Sequence, residues 1–161
     1  MTLEQWSFVA QIVSAIAVIA SLIFVGNELK HASSAIRLSS SQAHSALYIE
    51  LVRSVVEDAD FSRIWTTALA DPDAVGEADW ARFVSFTGAF FRLYEASRVQ
   101  WLNKQLDKEH WQTVERQAAD FRQYPGVRKA WELRSHWYSK DFQAWFEALE
   151  PAVVHSPYGR G

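Results

Sequence analysis

No charged residue occurs between Glu4 and Glu28, in a chain whose Asp, Glu, Lys and Arg make up 22% of its residues. Random placement would leave a given stretch of that size bare only about 0.3% of the time. The run Trp6-Ser-Phe-Val-Ala-Gln-Ile-Val-Ser-Ala-Ile-Ala-Val-Ile-Ala-Ser-Leu-Ile-Phe-Val25 contains no proline, and the first glycine of the chain follows it at Gly26. At about 1.5 Å per residue it spans roughly 30 Å as a helix, the thickness of a bilayer's hydrocarbon core. Trp6 stands where an interfacial aromatic anchor belongs. A cleaved signal peptide would need a basic leader and a small-x-small cleavage site; Met-Thr-Leu-Glu-Gln has no basic residue, and no such site follows Val25. A soluble core helix is usually shorter and carries a charged stripe, and a helix lying flat on a membrane wants Lys or Arg along one face. The stretch therefore predicts a transmembrane helix, with the lipid bilayer as its first partner.

The polar residues inside the span are ordered. Ser7, Ser14 and Ser21 recur every seven residues, with Ala10 and Ala17 three positions after the first two and Gln11 on the same face. Small, weakly polar side chains on one stripe let a second helix approach closely in lipid. An amide in hydrocarbon is expensive unless paired, so Gln11 favours a helix–helix contact. Ser bonding back onto its own helix is the plainer explanation of the stripe. Lys30, Arg37 and Arg53 follow the span and no basic residue precedes it. The positive-inside rule then places the N-terminus outside and the C-terminal domain in the cytoplasm.

Beyond the span the pattern is helical throughout, and no segment alternates as a strand would. Residues 32–46 are rich in Ser and Ala and free of Pro and Gly, which predicts a helical stalk with a thin apolar edge at Ile36, Ala43, Leu47, Leu51 and Val55. Asp60 is the expected N-cap of a short helix carrying Phe61, Ile64, Trp65 and Leu69. A long helix follows from Glu77, apolar nearly all round, with close backbone packing expected at Gly88. Asp107 caps the next helix, Tyr124-Pro125-Gly126 breaks the chain, a helix with Val127, Ala130, Trp131, Leu133 and Trp137 comes after, and Ser139 caps a last one ended by Pro151. The expected organisation is all-α: a transmembrane anchor over 1–27, a stalk over 28–56, a bundle of about five helices over 57–150, and a flexible tail over 151–161.

Chemical signatures are sparse. The chain has no cysteine, so disulfides, thiolate metal sites and cysteine nucleophiles are excluded. A net charge of −3 gives no ground for a nucleic-acid partner. No nucleophile-elbow, phosphate-loop, dinucleotide or metalloprotease motif occurs, and no cofactor is expected. His31, His44, His110, His136 and His155 are dispersed; Glu132 and His136 share a helix face but supply only half of a metal site. Arg92, Glu95 and Arg98, spaced i, i+3, i+6 in the most apolar helix, are the most distinctive polar group. They read as a carboxylate flanked by two guanidinium groups, acting as a structural latch or, alternatively, framing a pocket for an anion or lipid headgroup.

The segments Ile19-Ala-Ser-Leu-Ile-Phe-Val-Gly-Asn-Glu-Leu29, Ala70-Asp-Pro72, Phe91-Arg-Leu-Tyr-Glu95 and Tyr138-Ser-Lys-Asp-Phe142 resemble an uncharacterised bacterial family. Its members carry one N-terminal transmembrane helix followed by a helical cytoplasmic domain. The resemblance implies a bacterial inner-membrane location and no particular activity, so no catalytic residues carry over. The expectation is a non-enzymatic accessory or interaction subunit that docks on another membrane protein or on a second copy of itself. A ligand-binding sensor is the alternative.

Overall fold

A computed structural model describes the backbone of residues 3–150 and the side chains of residues 6, 7, 11 and 13–150. The order is α1 (Leu3–Glu57), α2 (Ala59–Ala70), α3 (Glu77–Leu102), α4 (Lys108–Arg122), α5 (Pro125–Arg134), a 3-10 turn (Ser135–Trp137) and α6 (Lys140–Glu147). The described residues are all-α, as expected, and α2–α6 supply the five helices of the bundle. The expected tail over 151–161, including Pro151, lies outside the described residues; α6 already ends at Glu147, with Ala148 as its C-cap.

Two compact units divide between Leu38 and Ser39. In the first, the described part of α1 is long and apolar enough to cross a membrane. Its apolar side chains stand exposed, Leu22, Ile23 and Phe24 among them. Gly26 and Asn27 do not interrupt the helix.

The second unit holds the core. Its C-terminal piece of α1 packs through His44, Tyr48, Leu51 and Val55. This corrects the expected apolar edge: Leu51 and Val55 are on it, but Ile36, Ala43 and Leu47 are exposed. The reason is that His44 and Tyr48 have specific partners, Ser97 and Phe90, which fix the face of the helix.

The core proper is aromatic. Phe83, Phe91, Phe142 and Phe146 are fully buried, and Phe91 meets Trp131, Tyr138 and Phe146 edge-on. Truncating any one of these rings to Ala is expected to cost about 3–5 kcal/mol. Helix starts follow local chemistry: Asp107 accepts from the His110 amide at 2.8 Å, Ser139 accepts from the Phe142 amide at 3.3 Å, and Pro125 opens α5.

Three expectations are corrected. The cap of α2 is Asp58, which accepts from the Phe61 amide at 3.0 Å; Asp60 lies in the first turn and pairs with Arg63 and Arg82. The close approach is at Gly126, not Gly88. A Cβ on Gly126 would stand 2.0 Å from the Ala68 carbonyl oxygen, whereas one on Gly88 would meet only the Tyr138 hydroxyl at 3.8 Å. Leu133 and Trp137 are exposed: Leu133, two positions past Trp131, points away from the face of α5 that carries Val127, Ala130 and Trp131, and Trp137 belongs to the 3-10 turn that leaves the helical register after Arg134.

Candidate functional site

Arg92, Glu95 and Arg98 all act on the approach to α6. Glu95 Oε2 accepts from Arg92 Nη1 at 2.8 Å, and Glu95 Oε1 accepts from the Ser139 amide at 2.8 Å. Arg92 Nη2 donates to the Trp137 carbonyl at 3.3 Å, and the guanidinium lies 4.5 Å from the centre of the Tyr138 ring. Arg98 does not flank Glu95 as expected. It turns to Asp141, donating through Nε and Nη2 at 3.0 and 3.3 Å, and it sits over Trp111 and Trp145. A carboxylate in the first turn of α6 offers a two-point acceptor for a guanidinium fork, while Glu95 is taken up by the Ser139 amide. Arg98 in turn holds the Asp141 carboxyl below the usual range. Four guanidinium N–H groups are thus engaged within the protein.

A second cluster joins α1 to the bundle. Ser41 donates to Asp107 at 3.3 Å, and His44 Nδ1 lies 2.7 Å from Ser97 Oγ. The Ser97 hydroxyl donates its one proton to the Leu93 carbonyl at 2.9 Å, so the His44 ring must donate from Nδ1. The His110 ring stands edge-on to His44, their centres 5.1 Å apart. Burial, and secondarily the charge of His110, push His44 down to about 4. In the sequence these histidines read as unrelated, since 66 positions separate them.

A cavity lies beside this joint, with a volume of about 380 Å³. The end of α1 lines one side with Tyr48, Val52, Val55 and Val56. From the bundle come Trp65 and Leu69 of α2, Phe90 and Tyr94 of α3, and Phe121 of α4. Its lining residues with polar groups are Tyr48, Tyr94, Gln117, Asp120 and Tyr124. Burial pushes the Tyr94 hydroxyl up, helped by Tyr48 and by the Asp120 charge; Tyr124 is raised by burial and by Asp120. None of the ion pairs among the described residues includes Asp120. No local pattern marks this cavity, because Asp120 is an ordinary helical acid until three other helices converge on it.

Of the stripe in the anchor segment, Ser7, Gln11, Ser14, Ala17 and Ser21 are all exposed along α1; of Ala10 only the backbone is described. Glu132 and His136 are both exposed, and no cluster of three metal-ligating side chains occurs among the described residues. No family model, curated protein or solved structure matches the chain.

Proposed function

We propose that this chain is a membrane-anchored, non-catalytic interaction subunit. Its charge-free helix is inserted in the bacterial inner membrane with the N-terminus outside, and the bundle lies in the cytoplasm. One observation carries the reading: a helix of spanning length whose described apolar side chains between Val13 and Val25 stand exposed. The docking face is the stripe Ser7, Ala10, Gln11, Ser14, Ala17 and Ser21, against another membrane protein or a second copy. Lys30 and Arg37, just past the span, support the orientation.

Ultracentrifugation of lysed cells at alkaline pH without detergent tests the anchor; the protein is expected in the pellet, and recovery in the supernatant removes the reading. A photo-crosslinker at position 17 tests the docking face. A specific adduct is expected that is lost with Gln11→Leu and Ser14→Leu together.

A sensing role is the second reading. An anion seated between Arg92 and Arg98 would have to displace Glu95, the Trp137 carbonyl and Asp141. The cavity at Asp120 demands no such displacement, and it favours sensing of a different chemical class.

A further inference from the structure

We infer that the cavity between the end of α1 and helices α2–α4 is a binding site for an organic ammonium ion with an apolar body. Its size is that of a small-molecule site, about 380 Å³, and its wall is largely aromatic. The rings of Tyr48, Phe90, Tyr94 and Phe121 form a connected surface, with successive centres 5.1–6.4 Å apart where they meet. Aromatic faces attract a desolvated cation, and they also pack an alkyl or aryl chain.

Asp120 sets the sign of the ligand. Asp120 lines the cavity, is half-buried, and is included in no ion pair among the described residues. A half-buried carboxylate without a cation is an incomplete arrangement that an ammonium completes. Tyr94, only 1% exposed, lines the same space, and no described residue hydrogen-bonds to its hydroxyl. That hydroxyl is placed to serve a ligand as acceptor or donor. Anionic ligands are disfavoured at once by Asp120, and a purely apolar one would leave Asp120 and Tyr94 covered without partners.

The shared chemistry, an ammonium on an apolar body, occurs in free amines and in aminated lipid headgroups. The inference is independent of the anchor: failure here leaves the sedimentation and crosslinking results untouched. The test uses the full chain in lipid nanodiscs of phosphatidylglycerol, titrated with 4-phenylbutylamine and with 4-phenylbutanol, and followed by tryptophan fluorescence and calorimetry. The amine is expected to bind saturably and at least tenfold tighter than the alcohol. Asp120→Asn should abolish that preference while leaving the alcohol's affinity and the thermal midpoint near wild type. Val52→Trp, at an exposed residue of the cavity lining, should weaken both ligands together. Repeating the amine titration in phosphatidylethanolamine discs separates the sources: a right-shifted isotherm assigns a lipid headgroup, and an unchanged one assigns a free amine. Equal affinity for amine and alcohol, no saturable binding of the amine, or amine binding that survives both substitutions overturns the inference.

Discussion

His44 Nδ1 donates to Ser97 Oγ across 2.7 Å, joining α1 to α3, while burial of the ring and the neighbouring His110 favour the neutral imidazole. The folded chain holds His44 at about 4, against 6.5 for the ordinary side chain. Between those values the unfolded state binds the proton and the folded state does not. The contribution of neutral His44 is therefore complete above about pH 6.5 and is lost as the pH falls toward 4. Its size is roughly 1–3 kcal/mol after allowance for solvent near the ring.

Denaturation of the full chain in neutral detergent, as a function of pH, checks this. His44→Gln keeps an amide donor for Ser97 but cannot titrate. The stability gap between wild type and His44→Gln should shrink, or reverse, from pH 7.5 to pH 4.5. A gap that stays constant over that range would remove His44 as the titrating group.

Gly126 and Gly88 should respond oppositely to alanine. At Gly126 the new methyl would meet the Ala68 backbone at 2.0 Å and the Phe83 ring at 3.1 Å, so α2 and α5 must separate. We expect a loss of about 3 kcal/mol. At Gly88 the nearest neighbour is the Tyr138 hydroxyl at 3.8 Å, and helix propensity decides the sign. Gly88→Ala should gain about 0.5–1 kcal/mol. Thermal midpoints of the two variants, compared side by side, give the answer.

What could be read in advance was local. The charge-free stretch, the caps at Asp107 and Ser139 and the break at Pro125 each depend on a few neighbouring residues, and each stands where expected. What escaped depends on residues far apart in the chain. Arg98 finds Asp141 across 43 positions, and Asp120 becomes a cavity residue only when α1, α2 and α3 close around it. The face of α1 is set by Ser97 and Phe90, which no periodicity within α1 can reveal. Asp58 and Asp60 are both acceptable caps by composition, and a shift of two residues separates right from wrong.

The difference between those two aspartates is measurable. Asp58→Ala removes the oxygen that accepts from the Phe61 amide, together with a long 3.6 Å ion pair to Arg82, and should cost about 1 kcal/mol, most of which survives at high salt. Asp60→Ala removes exposed ion pairs with Arg63 and Arg82, so its effect should be smaller and should vanish at high ionic strength. Urea midpoints at 50 mM and 1 M NaCl distinguish the two; a salt-insensitive loss at Asp60 would return the cap to that residue.

The Arg98–Asp141 pair decides whether the arginine cluster is a latch. The guanidinium fork is mostly covered and rests over Trp111 and Trp145, whereas Asp141 is open to solvent. Arg98→Ala therefore loses packing as well as charge, and we expect about 1–2 kcal/mol. Asp141→Ala should lose less, since its carboxylate is well hydrated when free. The two substitutions made together should cost less than their sum, by a coupling of about 0.5–1.5 kcal/mol. Arg98→Lys keeps the charge but not the fork, and should recover less than half of the coupling. Strict additivity in the double-mutant cycle would mean that Arg98 and Asp141 do not act on one another, and the fastening of α6 would then rest on Glu95 and the Ser139 amide.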